Sequence, residues 1–527
     1  MRTTLMWLAV IASAGCDYKS PFESNVDVRP PISTGSSVTF LDVGNREVVF
    51  VLPGDEKLDV NRVALGGQHD KPAWSVPTRD GKHLLVLTVP DSGKQEDVQE
   101  KLFRLAADGQ GEPVPYEVRA PFDRIVLTPD YKRAVLYFGG NGSSAGTLQN
   151  ANQVAIVRLD SSDGSEVVNF TINGFGGRLQ SVHFPAQLEL GMSQNIHVGG
   201  SSRDLAVFLA PGEVILVDMD DVNAAVALNF NQDTGFGFTP EGTLLRPGNE
   251  LYETPVLFVR ALNSSDVAML SLVAQAIDPS QFTAQVNLLS VTTGCTDFAY
   301  HDDGDTPMLV TVDSDRGSLR FTDITKTEYF DVDLDGPASR LFIRDHDDDG
   351  TLVKQVVVWA LESNIIHTLE LDGIANSLNR KPRKLKIAGG IGTLVRLDND
   401  RTLIGSGNEL YVVDFSQEKI TPLTSSQELD PTSSALERDM LYLGTAGHSA
   451  ISSVDLVSLN PEDMLLDDPI QSFHYLSELK KIAVVHDDPV GHMTVANAND
   501  LSRSTSYTTW GFLLSGVLDR PDTRWGD

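Results

Sequence analysis

Cysteine is nearly absent from this chain: 527 residues contain two, Cys16 and Cys295. A fold stapled by several disulfides is therefore excluded, and stability has to come from a buried apolar core. Basic residues are scarce beside acidic ones, 41 Lys and Arg against 73 Asp and Glu, which gives a formal net charge of -32 and a pI near 4.6. Such a field repels phosphate backbones and anionic lipid surfaces, so no nucleic-acid partner is expected, while divalent cations or basic partners suit it. The alternative reading is that the acidity merely keeps the folded domain soluble. Long apolar runs are missing after the N-terminus, where nothing approaches the roughly 18 residues that a spanning helix needs. Phosphate loops and dinucleotide fingerprints are missing as well, which removes the usual signals of nucleotide cofactors. The 11 histidines are scattered, without a His-x-x-x-His pair of the kind that holds zinc. What remains, 41% hydrophobic and 22% charged residues, is the composition of a folded body.

The first 16 residues are organised. Arg2 precedes a short apolar run from Leu5 to Ala12, then the small residues Ser13, Ala14 and Gly15, then Cys16. Charged, apolar and small-residue regions in this order are those of a secretory signal. The cysteine at its end resembles the lipobox of bacterial lipoproteins, with Ser13 where that family usually carries Leu. The resemblance implies that residues 1–15 are cleaved and that Cys16 becomes the lipidated first residue of a membrane-anchored protein of the bacterial cell envelope. Asp17 resembles the residue that retains enterobacterial lipoproteins in the inner membrane. That rule differs between bacterial groups, so the choice between inner and outer membrane, and between periplasm and cell surface, stays open. Residues 16–37, rich in Ser, Pro and Asn, read as a flexible tether. With Cys16 lipidated, Cys295 has no partner in the chain. No His or Lys lies near it in sequence to activate a thiolate, and it reads as a buried inert thiol.

From Val38 onward, short β-branched and apolar runs alternate with Gly, Asp, Asn and Pro. Examples are the runs Glu47 to Leu52, His83 to Leu87, Arg133 to Phe138 and Lys354 to Trp359. Runs of this length between frequent turn signals indicate an all-β protein. They also recur as a unit: an apolar strand, a turn with Asp or Gly, a second strand, and a third ending in Asp. Units open at Trp74, Ile125, Val182, Phe238, Phe298, Leu341, Leu394, Ala435 and Phe473. Spacings of about 40 to 57 residues are those of β-propeller blades. The expectation is one propeller domain over 38–527 with seven or eight four-stranded blades, the strands of Val38 to Val63 pairing with C-terminal strands to close the ring.

Two segments carry a resemblance. Lys71-Pro72-Ala73-Trp74-Ser75 followed by Arg79-Asp80-Gly81-Lys82-His83-Leu84 resembles the repeat signature of TolB-type propellers, with residues inserted before the Asp-Gly. Leu410 to Asp414 followed by Lys419 to Thr424 resembles the ending of that repeat, and Val126 to Arg133 is a looser third match. The resemblance covers a small part of the chain and supports the propeller fold. Physically, Asp-Gly supplies the tight turn and Trp74 or Tyr411 fills the space between sheets, so neither aromatic is assigned to a ligand.

Among candidate chemical groups, Asp345-His346-Asp347-Asp348-Asp349-Gly350 is the sharpest. Alternating carboxylates before a Gly can converge on one cation, which makes Asp345, Asp347 and Asp349 candidate ligands of Ca2+. The closing position of an EF-hand would be Val356 and the ninth position is Val353, so the ligand set is incomplete and a solvated acidic hairpin is the alternative. Asp331 to Gly336 reads as a strand with outward acids and inward Val332 and Leu334, and His301 to Asp305 as a blade turn. Gly142-Ser143-Ser144-Ala145-Gly146 spells a nucleophile elbow in a polar segment without the strand and helix the elbow requires. His486-Asp487-Asp488 and His492 lie close together, with Pro489 and Gly491 between them marking a turn. No catalytic residue is assigned. The functional expectation is a non-enzymatic, membrane-anchored propeller that binds an envelope or surface protein. The alternative is a lactonase-like hydrolase with a carboxylate-held divalent cation. A quinoprotein-like propeller lacks its repeated tryptophan pattern here.

Overall fold

A computed structural model describes residues 27–65, 70–90, 100–119, 122–139, 152–160, 166–172, 179–184, 196–198, 201–230, 237–246, 254–262, 264–278, 281–292, 294–302, 306–348, 351–407, 409–423 and 434–514. Cys16 and its preceding segment, Gly142 to Gly146, and Asp349 lie outside the described residues.

Ten antiparallel four-stranded sheets follow one another along the chain, within 32–64, 70–118, 124–171, 181–229, 240–290, 295–333, 340–386, 393–423, 434–465 and 470–510. Strands pair in chain order within each sheet. In the fourth, a hairpin of Ile196–Val198 with Ser201–Arg203 is inserted between the first two strands. Successive sheets of this kind are the blades of a β-propeller. There are ten, where seven or eight were expected. Nine of them open where the recurrence placed a unit. The tenth arises because Val38–Asp42, Glu47–Pro53 and Leu58–Ala64 do not join the last sheet; with Ile32–Ser33 they form a blade of their own. The first blade thereby reaches back into the segment read as a tether. There the buried Thr34 and Ser37 hydroxyls donate to the Ala107 carbonyl at 3.2 and 2.5 Å.

By contacts the chain falls into two compact units, one of Met1–Pro115, Tyr442–Ser453 and Glu462–Asp527, the other of Tyr116–Leu441 and Val454–Pro461. In the second unit, Leu205–Ala210 shows why apolar runs become blade strands. Leu205, Val207 and Leu209 pack with Leu257 and Val259 of the fifth blade, while Ala206, Phe208 and Ala210 pack with Val135 and Ile156 of the third. Alternate side chains of a strand leave opposite faces, so a strand covered on both faces must be apolar at every position. In the first unit the same logic holds the first blade. Val38, Phe40, Val49 and Val51 pack on Ala483, Val485 and Met493 of the last blade, and Val48 and Phe50 on Leu84 and Val86 of the second. The N-terminal strands meet the last blade through side chains, without sharing its sheet.

Some of the aspartates shape turns. Asp323 and Asp414, each at the end of a third strand, accept backbone N–H bonds from the second and third residues beyond them through Oδ1. The Asp331 segment has Val332 and Leu334 buried and Asp333 exposed, with Asp331 accepting two bonds from Arg320. Tyr411 is buried between blades as expected, whereas Trp74 is 41% exposed and only partly fills such a space. Cys295 is buried, and burial pushes its thiol up to about 12.

Candidate functional site

In the last blade the strands Lys481–His486 and His492–Asn497 are joined by a short turn. Asp488 shapes it: its Oδ1 accepts from Val490 N at 2.9 Å and its carbonyl accepts from Gly491 N at 3.1 Å. Gly491 has φ +87°, and a Cβ there would come within 2.8 Å of the Phe512 ring, so the turn requires glycine. The turn places His486 directly opposite His492, and the pairing continues outward on both sides, His486 to Ile470 and His492 to Trp510. One row of side chains thus crosses all four strands. Directly paired side chains lie close enough to stack. The two imidazoles have ring centroids 4.3 Å apart, and the indole of Trp510 lies 4.4 Å from His492 at an interplanar angle of 20°.

His486 is held from both sides. Its Nδ1 is 2.8 Å from the Pro469 carbonyl, which only accepts, so Nδ1 donates to it. Its Nε2 lies 2.8 Å from Thr494 Oγ1, which in turn lies 3.0 Å from Thr508 Oγ1. His492 is also buried, but its Nε2 has no hydrogen-bond partner among the described residues, and the nearest carboxylate oxygen, Asp468 Oδ2, is 3.8 Å away. Burial, then the neighbouring His486, lowers the pKa of His492; Asp468 and Asp488 oppose this. The stack ends at Trp510, which is 59% exposed.

This row borders a cavity of about 670 Å³, lined among others by Gly447, Asp468, Asp487, Asp488, His492 and Trp510. Three aspartates, and among the described residues no Lys or Arg, line it. The arrangement offers an aromatic surface and negative charge in one concave place.

Of the residues singled out by sequence, Asp345 and Asp347 lie on the strand Arg340–Asp348, paired across the hairpin with Lys354 and Leu352. Asp345 is exposed, and the residue directly opposite it is a cation. Among the described residues, no group of three or more His, Cys, Asp or Glu is placed to hold a metal ion. His486, Asp487, Asp488 and His492 do come together, at the turn that Pro489 and Gly491 signal. Sequence reasoning stopped at the turn and missed the pocket. The usable signal was a histidine on each side of a short turn between two apolar runs, which a hairpin register makes neighbours. Trp510 and Asp468 carried no such signal.

No family model matches the chain, and no curated protein matches it. Among solved structures it is similar to the Dos1 propeller, with 12% identity over 68% of this chain and 89% of that one and a TM-score of 0.40. It is also similar to dihydro-heme d1 dehydrogenase NirN in complex with DHE, with 14% identity, 69% and 70% coverage and a TM-score of 0.40. A third similarity is to virginiamycin B lyase from Staphylococcus aureus, with 6% identity, 60% and 89% coverage and a TM-score of 0.34.

Proposed function

We propose that the protein is a lipid-anchored propeller of the bacterial cell envelope that acts by binding a protein partner, with the pocket of the last blade as its contact surface. The observation that carries the reading is Trp510: a large aromatic side chain more than half exposed, seated on a buried imidazole at the edge of a concave acidic site. Exposed aromatics beside pockets are what protein interfaces use as anchors, because they bury much area at small entropic cost. His486 supports the same reading, since both its nitrogens serve to position the stack. The lipobox-like segment supplies the anchor at Cys16, and the resemblance to TolB-type propellers fits an assembly scaffold.

Crosslinking in native membranes, followed by purification and mass spectrometry, tests the binding reading. A reproducible envelope partner is expected with the native chain and not with Trp510→Ala at equal levels of folded protein. Unchanged capture by that variant would refute the assignment to this surface. The anchor is tested by palmitate labelling: Cys16→Ser is expected to lose the label and leave the membrane fraction, and a labelled, membrane-bound variant sinks the lipid anchor.

A further inference from the structure

We propose that Phe282–Ser290, the fourth strand of the fifth blade, pairs edge to edge with the same strand of a second copy of this chain, so that the two blades join in one antiparallel sheet. This goes beyond the binding reading and uses none of the residues of the last-blade pocket. The strand has a neighbour on one side only, Asp266–Ala274. The bonds from Val291 N to the Ser265 carbonyl at 2.8 Å and from Gln275 N to the Gln281 carbonyl at 2.9 Å mark the two ends of that pairing. Bonded pairs alternate along an antiparallel ladder, so the odd-numbered residues of the strand bond inward, and the N–H and C=O groups of Ala284, Val286 and Leu288 point outward. Among the described residues these outward groups have no partner. The side chains of Val286 and Leu288 beside them are 37% and 42% exposed.

An open edge is where a sheet takes up another strand, and proteins guard such edges with charge, proline or short strands. Six of the other nine fourth strands carry charged side chains, and the remaining three, Val167–Thr171, Ala225–Asn229 and Tyr507–Trp510, are at most five residues long. Phe282–Ser290 has nine residues, none of them charged and none proline. The missing charge also selects the occupant. Two copies of a chain with a net charge of -32 repel each other, and they can meet where neither brings charge. The strand is, besides, complementary to itself. With the two-fold axis at Val286, which then faces its own copy, Ala284 faces Leu288 of the second copy, small against large. Gln285 faces Asn287 of the second copy, two amides that can each donate and accept. The pairs formed by Ala284, Val286 and Leu288 each exchange two backbone bonds, which satisfies every outward group named above.

Sedimentation of the full-length protein in detergent, over a micromolar concentration series, tests this. Two variants with the same N-terminus run beside it, so that any association through the micelle is common to all. The native chain is expected to reach the mass of two copies. Val286→Pro removes an outward N–H without touching the ladder to Asp266–Ala274. Gln285→Lys combined with Asn287→Lys, both at exposed positions, sets like charges opposite each other across the two-fold. Each variant is expected to weaken the dimer about ten-fold or more, with native near-ultraviolet circular dichroism as the check on folding. The lysine pair keeps the test alive where the proline variant misfolds, and because it lowers the net negative charge, a general loss of repulsion would strengthen association instead. Oxidation of Val286→Cys is expected to link two copies, since directly bonded residues have Cα atoms about 5.5 Å apart, within reach of a disulfide. Ser290→Cys, far from its own copy in this register, is expected to stay unlinked, and the buried Cys295 does not compete. A native chain that stays monomeric throughout the series, or a dimer unchanged in both variants, overturns the proposal. Linking of Ser290→Cys as readily as Val286→Cys overturns the antiparallel pairing.

Discussion

At Gly81 and Tyr131 one and the same turn is built with two different residues. In both, a threonine two positions before an aspartate donates its hydroxyl to Oδ1, Thr78 to Asp80 at 2.7 Å and Thr128 to Asp130 at 2.6 Å. Each threonine Oγ1 also accepts a backbone N–H five residues on, from His83 at 3.0 Å and Arg133 at 3.1 Å. Each aspartate accepts from a lysine N–H, Lys82 at 3.2 Å and Lys132 at 3.1 Å. The residue after the aspartate has positive φ in both, +69° for Gly81 and +58° for Tyr131. A side chain in that region costs about 1–2 kcal/mol, against a loss of about 0.5–1 kcal/mol from the greater freedom of glycine in the unfolded chain. Tyr131→Gly therefore exchanges two backbone terms of similar size and, apart from the contacts of the half-buried tyrosine ring, is expected to change stability by less than about 1 kcal/mol. Gly81→Ala adds the strain and, besides, brings a Cβ to 2.7 Å from the Gly35 backbone nitrogen, so a loss of about 2 kcal/mol or more is expected. Urea unfolding of both variants decides it, and equal losses would show that the shared hydrogen bonds, rather than the left-handed position, dominate.

Among the described residues the strands of one blade do not pair with those of the next; backbone bonds such as Gly447 N to the Ile470 carbonyl at 2.7 Å cross between blades, and side chains add to the joining. Arg344 of the seventh blade is the clearest instance. Its side chain is fully buried, its Nε donates to Gln355 Oε1 at 3.0 Å, and its Nη1 donates to Asp400 Oδ1 of the eighth blade at 2.7 Å and to the Asn399 carbonyl at 3.3 Å. Arg133 of the third blade likewise reaches Asp204 at 3.1 Å in the fourth, and Arg401 of the eighth reaches Asp439 at 3.1 Å in the ninth. For a buried ion pair, removing one partner harms chiefly through the charge left behind. Asp400 is 47% exposed and can return to water, whereas Arg344 cannot. Asp400→Ala is therefore expected to destabilise by about 3 kcal/mol, more than Arg344→Met, for which about 1–2 kcal/mol is expected because an apolar chain of similar length refills the site. Denaturant midpoints that rank the two the other way would refute this account. The blade cores were legible in the sequence for a related reason. Leu205 to Ala210 is apolar throughout, and Val256 to Ala261 at every position but Arg260, because neighbours cover both faces, and the turns announced themselves in Asp and Gly. The blade count was not legible, because Val38 to Val63 reads equally well as a blade or as half of the last one, and side-chain packing decides. The pocket depended on register. Trp510 stacks on His492 only while these two residues face each other, and a slip by one position would turn Trp510 to the other side of the sheet.

For the whole molecule, the response to acid is set by buried groups of opposite sign. His367 is completely buried, with neither ring nitrogen hydrogen-bonded among the described residues, and burial together with Lys384 lowers its pKa to about 4. His474, buried and 2.9 Å from Ser472 Oγ, is lowered by burial to about 4 as well. The unfolded chain takes up these protons near the ordinary histidine value of 6.5, and the folded chain refuses them until about 4, so the stability they confer is complete above 6.5 and is lost as the pH falls through this window. Asp204 works in the opposite sense. Burial raises it to about 6 against the pull of Arg133, so between 6 and 3.8 the folded chain holds a proton that the unfolded chain has released, and this group adds stability as the pH falls. One group titrating in one state alone changes stability by about 1.4 kcal/mol per pH unit. His367→Leu is accordingly expected to gain on the native protein by about 1.4 kcal/mol per unit from pH 6.5 to about 4. Asp204→Asn is expected to fall behind by a similar slope from pH 6 to 3.8. The overall charge of -32 also changes over this range, but it is nearly common to the variants and the native chain and cancels in the differences. Urea titrations at fixed ionic strength supply the comparison. Parallel curves for native protein and His367→Leu would mean that the buried imidazole already takes up its proton at the pH of the unfolded chain, and a gap for Asp204→Asn that narrows toward acid would mean that the Arg133 pair, rather than burial, governs that carboxyl.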